Sequence, residues 1–281
     1  MVSELDVDER GHLIWAEGDL VLDIDPATGL YKEIRLPPPS KTTVFIPPAG
    51  TYITAMALDQ KRHAYLSRMN VAALTEVDLL GGNFREIVYP PGFGPVHDLA
   101  VTENTIWITN PYDMEGGPRA QAGRIDLPTG NYQAIDGVPA IFVEGQAGKL
   151  YGTAYSQNGL AVVTGDALSA AAPAGSAFSG LGVPDGDVVA VDPQSGTVWA
   201  SNGVVKGLLK LDPSSGSVQS YALGAYLSKS VSCPVPVSPS NSCDETMEVS
   251  PVITGIAVAP NGDVYFSDAA FSRIGVIHPG Q

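Results

Sequence analysis

Long apolar runs and helical periodicity are both absent from this chain of 281 residues. No stretch reaches the length of about 18 apolar residues that a membrane-spanning helix requires, so no membrane insertion is expected. No run of about 12 residues repeats apolar side chains at helical spacing, and 31 glycines and 23 prolines interrupt the chain. Together these features favour an all-β fold of short strands joined by turns.

Basic residues are scarce, since 15 lysines and arginines stand against 30 aspartates and glutamates and give a net charge of −15. A nucleic acid or an anionic membrane surface demands a basic patch, so neither is expected as a partner. The charge is consistent with simple solubility, and a role in binding a cation or a cationic ligand stays open.

Only two cysteines are present, Cys233 and Cys243, and both lie in an insertion rich in Pro and Ser at residues 225–252. No Cys-x-x-Cys pair or nearby histidine accompanies them, so a disulfide is favoured over a metal site. A disulfide implies secretion or the secretory pathway. The opening MVSELDVDERGH has no apolar signal region, so we expect a natural precursor that begins upstream, with a cytoplasmic protein as the alternative.

One pattern recurs along the whole chain at intervals of about 45 residues. A run of small and β-branched residues leads through a turn to an aromatic residue that opens a second run. An apolar run closing in Asp-Pro-x-x-Gly or a variant follows, as in LDIDPATG and LKLDPSSG, and then a fourth run of alternating polarity. The aromatic residues are Trp15, Tyr65, Trp107, Tyr151, Trp199 and Tyr265.

Four short strands per unit are typical of a propeller blade. The sequence therefore predicts a six-bladed β-propeller of four-stranded antiparallel blades, forming a single domain over residues 1–281. The blades start near residues 3, 53, 96, 140, 187 and 253, and the last has only three strands before Gln281.

The turns that lead into the innermost strands share one face of a propeller, where small molecules usually bind. We call the residue at each such turn a channel-mouth position; these are Ser3, Thr54, His97, Ile141, Asp187 and Thr254. The turns between second and third strands lie on the same face and add Glu17, Arg68, Asn110, Tyr112, Asp113, Tyr155, Asn202 and Asp268.

His97 is the leading catalytic candidate, because a histidine at the channel mouth can act as a general acid or base near neutral pH. Asp187, Arg68 and Asn202 are expected to position the substrate. Each has a structural alternative: His97 as a plug of the channel, Asp187 and Asn202 as turn caps, and Arg68 as a solvated charge.

Aromatic and apolar side chains outside the repeat pattern fall in or beside the same turns, including Phe93 and Met114. Such a rim suits a hydrophobic small molecule held by a few polar groups. The residues expected to bind substrate are Tyr52, Thr54, Asp98, Asn110, Tyr112, Phe142, Tyr155, Thr254, Asp268 and Phe271.

Several of these motifs resemble known repeats. VYFSDAAFSRIGVI resembles an NHL repeat, and GIAVAPNGDVYFSD is similar to repeats of the senescence-marker-protein/gluconolactonase superfamily, which includes strictosidine-synthase-like proteins. GRIDLPTGNYQAI and LLKLDPSSGSVQSYAL resemble virginiamycin B lyase repeats. The resemblance implies the propeller fold.

The same resemblance implies calcium for the lactonases, held by Glu, Asn and Asp side chains at channel-mouth positions. Ser3, Thr54 and Thr254 stand there instead, and His97 with Asp187 are too few for a cation that takes six or more oxygens. We therefore expect no metal or other cofactor. The metal site of the lyases likewise has no clear counterpart.

Three functions stay open at this point. The first is a metal-independent enzyme of secondary metabolism that catalyses a cyclisation or cycloaddition type of step on a hydrophobic natural product. The second is a calcium-dependent lactonase or esterase-like hydrolase. The third is a propeller that binds a ligand or a protein without chemistry.

Overall fold

The computed structural model is all-β over the residues that it describes. For residues 144–170 only Leu150 has a described side chain, and Asn202 is described by its backbone alone. The described residues are 4–40, 53–59, 62–69, 71–90, 93, 96–102, 104–110, 121–135, 144–146, 149–154, 159–164, 167–170, 188–192, 194–202, 207–223, 251–268 and 273–279.

The first three sheets each contain four antiparallel strands in sequential order. Their strands are β1 (Glu4–Val7), β2 (Leu13–Glu17), β3 (Leu20–Ile24), β4 (Tyr31–Arg35), β5 (Ile53–Leu58), β6 (His63–Arg68), β7 (Ala73–Asp78), β8 (Phe84–Val88), β9 (Asp98–Thr102), β10 (Thr105–Asn110), β11 (Gln121–Asp126) and β12 (Tyr132–Ile135).

Two further four-stranded sheets and one three-stranded sheet complete the order. Their strands are β13 (Glu144–Gln146), β14 (Lys149–Ala154), β15 (Gly159–Thr164), β16 (Ala167–Ala170), β17 (Val189–Val191), β18 (Val198–Asn202), β19 (Gly207–Asp212), β20 (Ser217–Ala222), β21 (Ile253–Val258), β22 (Val264–Asp268) and β23 (Arg273–Ile277).

The chain is therefore an all-β propeller with four-stranded antiparallel blades. The prediction of six such blades holds only in part, because the described residues form five four-stranded blades and the three-stranded sheet β21–β23. We number the five blades in chain order and call β21–β23 the last sheet.

The Asp-x-x-x-Gly motif closes the hairpin between third and fourth strands. In blade two, Asp78 accepts hydrogen bonds from the amides of Leu80 and Gly81 at 3.1 and 3.0 Å. Gly82 follows with a φ of +68°, a conformation that strains any residue with a Cβ. The turn residues of the motif thus set the register of the outer strands.

The first strands of the sheets lie around the central channel. β1 contacts β5, β5 contacts β9, β9 contacts β13, β13 contacts β17, β17 contacts β21, and β21 returns to β1. Apolar clusters fill the spaces between neighbouring sheets; one of them joins Ile14 and Ala16 of β2 to Met56, Leu58 and Leu66 of blade two. Hydrophobic burial between sheets therefore holds the ring together.

One aromatic landmark lies out of register with the others. Tyr65 and Trp199 each pack into a cluster shared with the following sheet. Trp15 instead packs beside Leu5 and Ala257, on the side of the last sheet. In β2 the side chain equivalent to Tyr65 is therefore Ile14, because neighbouring residues on a strand face opposite sides.

Candidate functional site

Two channel-mouth threonines tie the first strand of their sheet to the second. Thr54 donates to the carbonyl oxygen of Val96 at 2.8 Å and contacts the Ser67 hydroxyl at 3.0 Å. Thr254 and Ser267 repeat the hydroxyl contact at 2.9 Å. A register shift accompanies both threonines in their strand pairs, and both hydroxyl groups make contacts within the protein.

His97 lies immediately before β9 at the corresponding position of blade three. Its amide donates to the carbonyl oxygen of Thr109 at 2.8 Å, which fixes the backbone against β10. The side chain is half-buried, and burial lowers its pKa because the charged imidazolium loses solvation. His97 is therefore neutral at neutral pH, the form that accepts a proton.

Carboxyl groups occupy the next position on two first strands. When β2 is aligned so that Ile14 matches Tyr65, Glu4 of β1 corresponds to Asp98 of β9. The same position holds Ala55 in β5 and Gly255 in β21. Glu4 and Asp98 both line the central cavity. Acidic groups thus extend into the channel from blades one and three.

Burial shifts the protonation of both groups. Loss of solvation raises the pKa of Asp98 to about 8, although the Leu99 amide at 2.8 Å favours the carboxylate. Burial, with repulsion from Asp98 and Asp6, also raises the pKa of Glu4 well above its usual value. At neutral pH Asp98 is therefore mostly a neutral carboxylic acid.

Asp6 is a third carboxyl group at the channel. It accepts the amides of Val7 at 2.7 Å and Leu58 at 3.2 Å, which links β1 to blade two. Burial still raises its pKa to about 7. Neither Glu4 nor Asp6 was among the predicted site residues; the signal for them was the alternation Glu-Leu-Asp-Val in β1.

The acidic groups line an axial cavity of about 60 Å³ together with apolar residues of β17 and β21. This volume accommodates water molecules or one small functional group, whereas sites for organic ligands usually exceed about 300 Å³. In the part of the chain that the structure describes, the channel itself is therefore too narrow for a natural product. A larger ligand would have to bind at its mouth.

Polar residues end the second strands around the same face. Glu17, Arg68, Asn110, Asn202 and Asp268 are the last residues of β2, β6, β10, β18 and β22. Arg68, Asn110 and Asp268 are each only 1 % exposed. We call these five residues the strand-end ring, and three of them are buried.

Asp268 and Arg68 occupy equivalent positions with opposite charge. Asp268 accepts the amide of Val252 at 3.1 Å and pairs with Arg273 at 3.1 Å. Arg68 donates from Nη1 to the carbonyl oxygen of Pro37 at 2.7 Å, and it is a buried cation rather than a solvated loop charge. Burial lowers its pKa, partly offset by Glu86.

Several predicted site residues lie outside the described part of the chain, and Phe93 has a different role from the one expected. Its ring is 6 % exposed and packs edge-on against Tyr89 and Tyr132, so it belongs to the core rather than the rim. For Asn202 only the backbone is described. The predicted residues outside the described ranges are Ser3, Tyr52, Tyr112, Asp113, Met114, Ile141, Phe142, Tyr155, Asp187, Cys233, Cys243 and Phe271.

The other three histidines pair with aspartates away from the channel mouth. His12 Nδ1 lies 2.7 Å from Asp23, and His63 Nδ1 lies 2.8 Å from Asp59. His278 makes the same contact with Asp263 at 2.6 Å. His12 also lines a surface groove of about 390 Å³ between blade one and the last sheet. His97, in contrast, directly precedes Asp98 at the start of β9.

Within the described ranges, no group of three or more His, Cys, Asp or Glu side chains is arranged to hold a metal ion. The described residues also contain no helix with the length and apolarity that crossing a membrane requires.

Solved structures of other propellers resemble this chain along most of its length. Virginiamycin B lyase from Staphylococcus aureus is 13 % identical over 99 % of this chain and 81 % of the lyase, with a TM-score of 0.58. A streptogramin B lyase is 14 % identical over 98 % of this chain and 92 % of that one, with a TM-score of 0.59. A chain of a nidogen/laminin complex is 14 % identical, covering 96 % of this chain and 94 % of that one, with a TM-score of 0.60.

No protein-family profile and no curated protein sequence matches the chain. At identities of 13 to 14 % the structural likeness shows the propeller fold alone. It includes both lyase-type enzymes and a propeller from a protein–protein complex.

Proposed function

We propose that this protein is a metal-independent enzyme that binds a hydrophobic organic molecule at the channel mouth and catalyses an acid–base step on it. The observation that supports this is the position of His97 at the channel mouth, one residue before Asp98, whose carboxyl group lines the channel together with that of Glu4. A cyclisation, a cycloaddition or an elimination fits this arrangement, because each needs a held conformer and stabilisation of charge at one oxygen.

The two neighbouring groups have opposite roles in this proposal. At neutral pH the Asp98 carboxyl group, whose pKa is raised to about 8, retains a proton to donate. His97, whose pKa burial lowers, is the neutral base. Environments that move two pKa values in opposite directions are typical of acid–base pairs in active sites. Arg68, Asn110 and the strand-end ring then position the substrate.

The aromatic wall of the proposed pocket is inferred from the sequence alone. Its members are Tyr52, Tyr112, Phe142, Tyr155 and Phe271, and they are proposed to contact the apolar part of the substrate. Asp187 and Asn202 are proposed to orient its polar part.

The test begins with a thermal-shift screen of hydrophobic natural products that includes virginiamycin B, followed by mass spectrometry of reaction products. With a substrate in hand, we expect His97→Gln and Asp98→Asn each to lower the rate about 10²-fold without a matching loss of melting temperature. His63→Gln is the control, because His63 lies in the hairpin with Asp59. Wild-type rate in both site variants would refute the proposal.

A protein-binding propeller is the second candidate, favoured by exposed apolar side chains on the outer strands. Lys32 donates to the carbonyl oxygens of Leu79 and Leu80 at 2.9 and 3.2 Å, which joins β4 to the next blade. Tyr31 and Leu80 beside this link are 63 % and 57 % exposed. Retention of a protein partner by wild type but not by Tyr31→Ser with Leu80→Ser would support this candidate.

We propose further that residues 1–281 form one six-bladed domain with β21–β23 as the sixth blade. The closed ring of contacts among β1, β5, β9, β13, β17 and β21 supports this. A single cooperative unfolding transition is expected, and two separate transitions would contradict it. Secretion remains our proposal for the location, and it rests on the expected disulfide between Cys233 and Cys243.

A further inference from the structure

Arg68 differs from the other described arginines in its partners. Five of them contact a carboxylate; these pairs are Arg10 with Asp8 and Asp23, Arg35 with Glu33, Arg62 with Asp78, Arg85 with Glu76, and Arg273 with Asp268. The sixth, Arg124, donates to the side-chain oxygen of Gln133 instead. Acidic residues outnumber lysines and arginines by 30 to 15 in this chain. Carboxylate partners are therefore abundant, yet no described carboxylate lies within ion-pair distance of Arg68.

The unpaired atoms of Arg68 form one edge of its guanidinium group. Nη1 donates to the Pro37 carbonyl oxygen at 2.7 Å. Nε and Nη2 are buried and have no hydrogen-bond partner among the described residues. These two nitrogens present parallel N–H bonds, the arrangement that binds both oxygens of a carboxylate.

Glu86 is the nearby carboxylate whose charge acts on Arg68. Its oxygens, however, accept the amide and hydroxyl hydrogens of Ser40, the amide at 2.9 Å. The equivalent position in the last sheet has its charge matched, because Asp268 pairs with Arg273. Only the charge at the Arg68 position is left with an unused pair of donors among these described groups.

An unpaired buried cation destabilises the folded state unless it gains a partner. Burial lowers the pKa of Arg68, but a guanidinium group stays charged in proteins. An anion with two oxygens in one plane would therefore supply the charge and the hydrogen-bond acceptors that Arg68 lacks.

We infer that Arg68 binds the carboxylate group of an organic ligand through its Nε and Nη2 edge. This inference deepens the proposed function and rests on it, since Arg68 ends β6 in the strand-end ring around the channel mouth. The ligand class then becomes a molecule with an apolar body and a carboxylate. Because Arg68 is 1 % exposed, the bound carboxylate would be shielded from water.

The test measures urea unfolding with acetate, benzoate, sulfate or chloride at matched ionic strength. Binding to the folded state alone raises the folding equilibrium constant about tenfold at ten times the dissociation constant. We expect acetate and benzoate to stabilise wild type in a saturable way, with chloride far less effective. Equal effects of all four anions would reduce the result to charge screening and overturn the inference.

Variants assign the effect to the guanidinium edge. Arg68→Lys keeps a positive charge without the paired donors, and Arg68→Gln removes the charge; both should lose most of the carboxylate response. Arg35→Gln is the matched control, because Arg35 has a 69 % exposed side chain. An unchanged acetate response in Arg68→Lys would overturn the inference even if Arg68→Gln failed to fold.

The two proposals fail separately. His97→Gln should retain the full acetate and benzoate response, because it alters the acid–base pair and leaves Arg68 in place. Loss of the response in this variant would place the carboxylate at His97 instead of at Arg68, and would overturn the inference.

Discussion

Replacing Asp98 by asparagine should weaken the pH dependence of the protein's stability. In the folded protein Asp98 keeps its proton up to about pH 8, whereas its ordinary pKa is 3.8. Between these two pH values the folded state holds a proton on Asp98 that the unfolded state has released. The free energy of unfolding therefore falls as the pH rises. The contribution is complete at low pH and is lost as the pH passes through the raised pKa.

The size of the effect follows from the shift. One pKa unit corresponds to about 1.4 kcal/mol, so an unscreened group would lose about 4 kcal/mol between pH 5 and pH 8. The Asp98 side chain is only partly buried. Solvent screening therefore reduces the expected loss to about 2 kcal/mol. Asp6, whose pKa is raised to about 7, adds a loss of the same sign.

Urea unfolding followed by tryptophan fluorescence at pH 5, 7 and 8.5 measures the effect, since Trp199 is buried. We expect Asp98→Asn to be more stable than wild type at pH 8.5 and to show a shallower pH dependence. Asp19→Asn is the control, because Asp19 is exposed in the turn between β2 and β3. Wild type as stable at pH 8.5 as at pH 5, or equal slopes for wild type and Asp98→Asn, would refute the reasoning.

Other changes have equally direct outcomes. Gly275→Ala should lower the free energy of unfolding by about 1–3 kcal/mol, because a methyl group there would overlap the buried Phe266 ring; an unchanged urea midpoint would contradict this. Asp78→Asn should lower the midpoint at pH 7 but little at very low pH, since its arginine partner holds the pKa of Asp78 below its usual value; an equal loss at both would argue against the ion pair. Thiol titration of the unreduced, denatured protein should find no free thiol if Cys233 and Cys243 are joined. Dialysis against a chelator should leave activity intact, and restoration by calcium would favour the lactonase.

Repeat patterns carried most of the information on the fold. Turn residues such as Asp78 and Gly82 act locally, so their spacing predicted the hairpins and hence the blades. Trp15 was aligned with Tyr65, but the residue of β2 that faces the same side as Tyr65 is Ile14. A shift of one residue along a strand turns every side chain to the other face. The aromatic alone did not distinguish the two faces of β2.

The candidate site was harder to predict because it combines strands distant in sequence. His97 and Asp98 were identified from their position at the start of a blade. Glu4 and Asp6 were missed because their protonation depends on burial and on repulsion across the channel, which only the folded arrangement produces. That Nε and Nη2 of Arg68 are buried without a partner among the described residues likewise could not be predicted from the sequence.

The contact between β1 and β21 has a consequence for how this chain reaches its native state. It joins strands near opposite ends of the described chain, and contacts of such long sequence separation form slowly. During synthesis, Leu5 and Val7 are made long before Ala257 and Ala259, the residues that they pack with in the folded protein. We therefore expect late docking of the last sheet to limit the folding rate, and aggregation through the exposed face of β1 to compete with it.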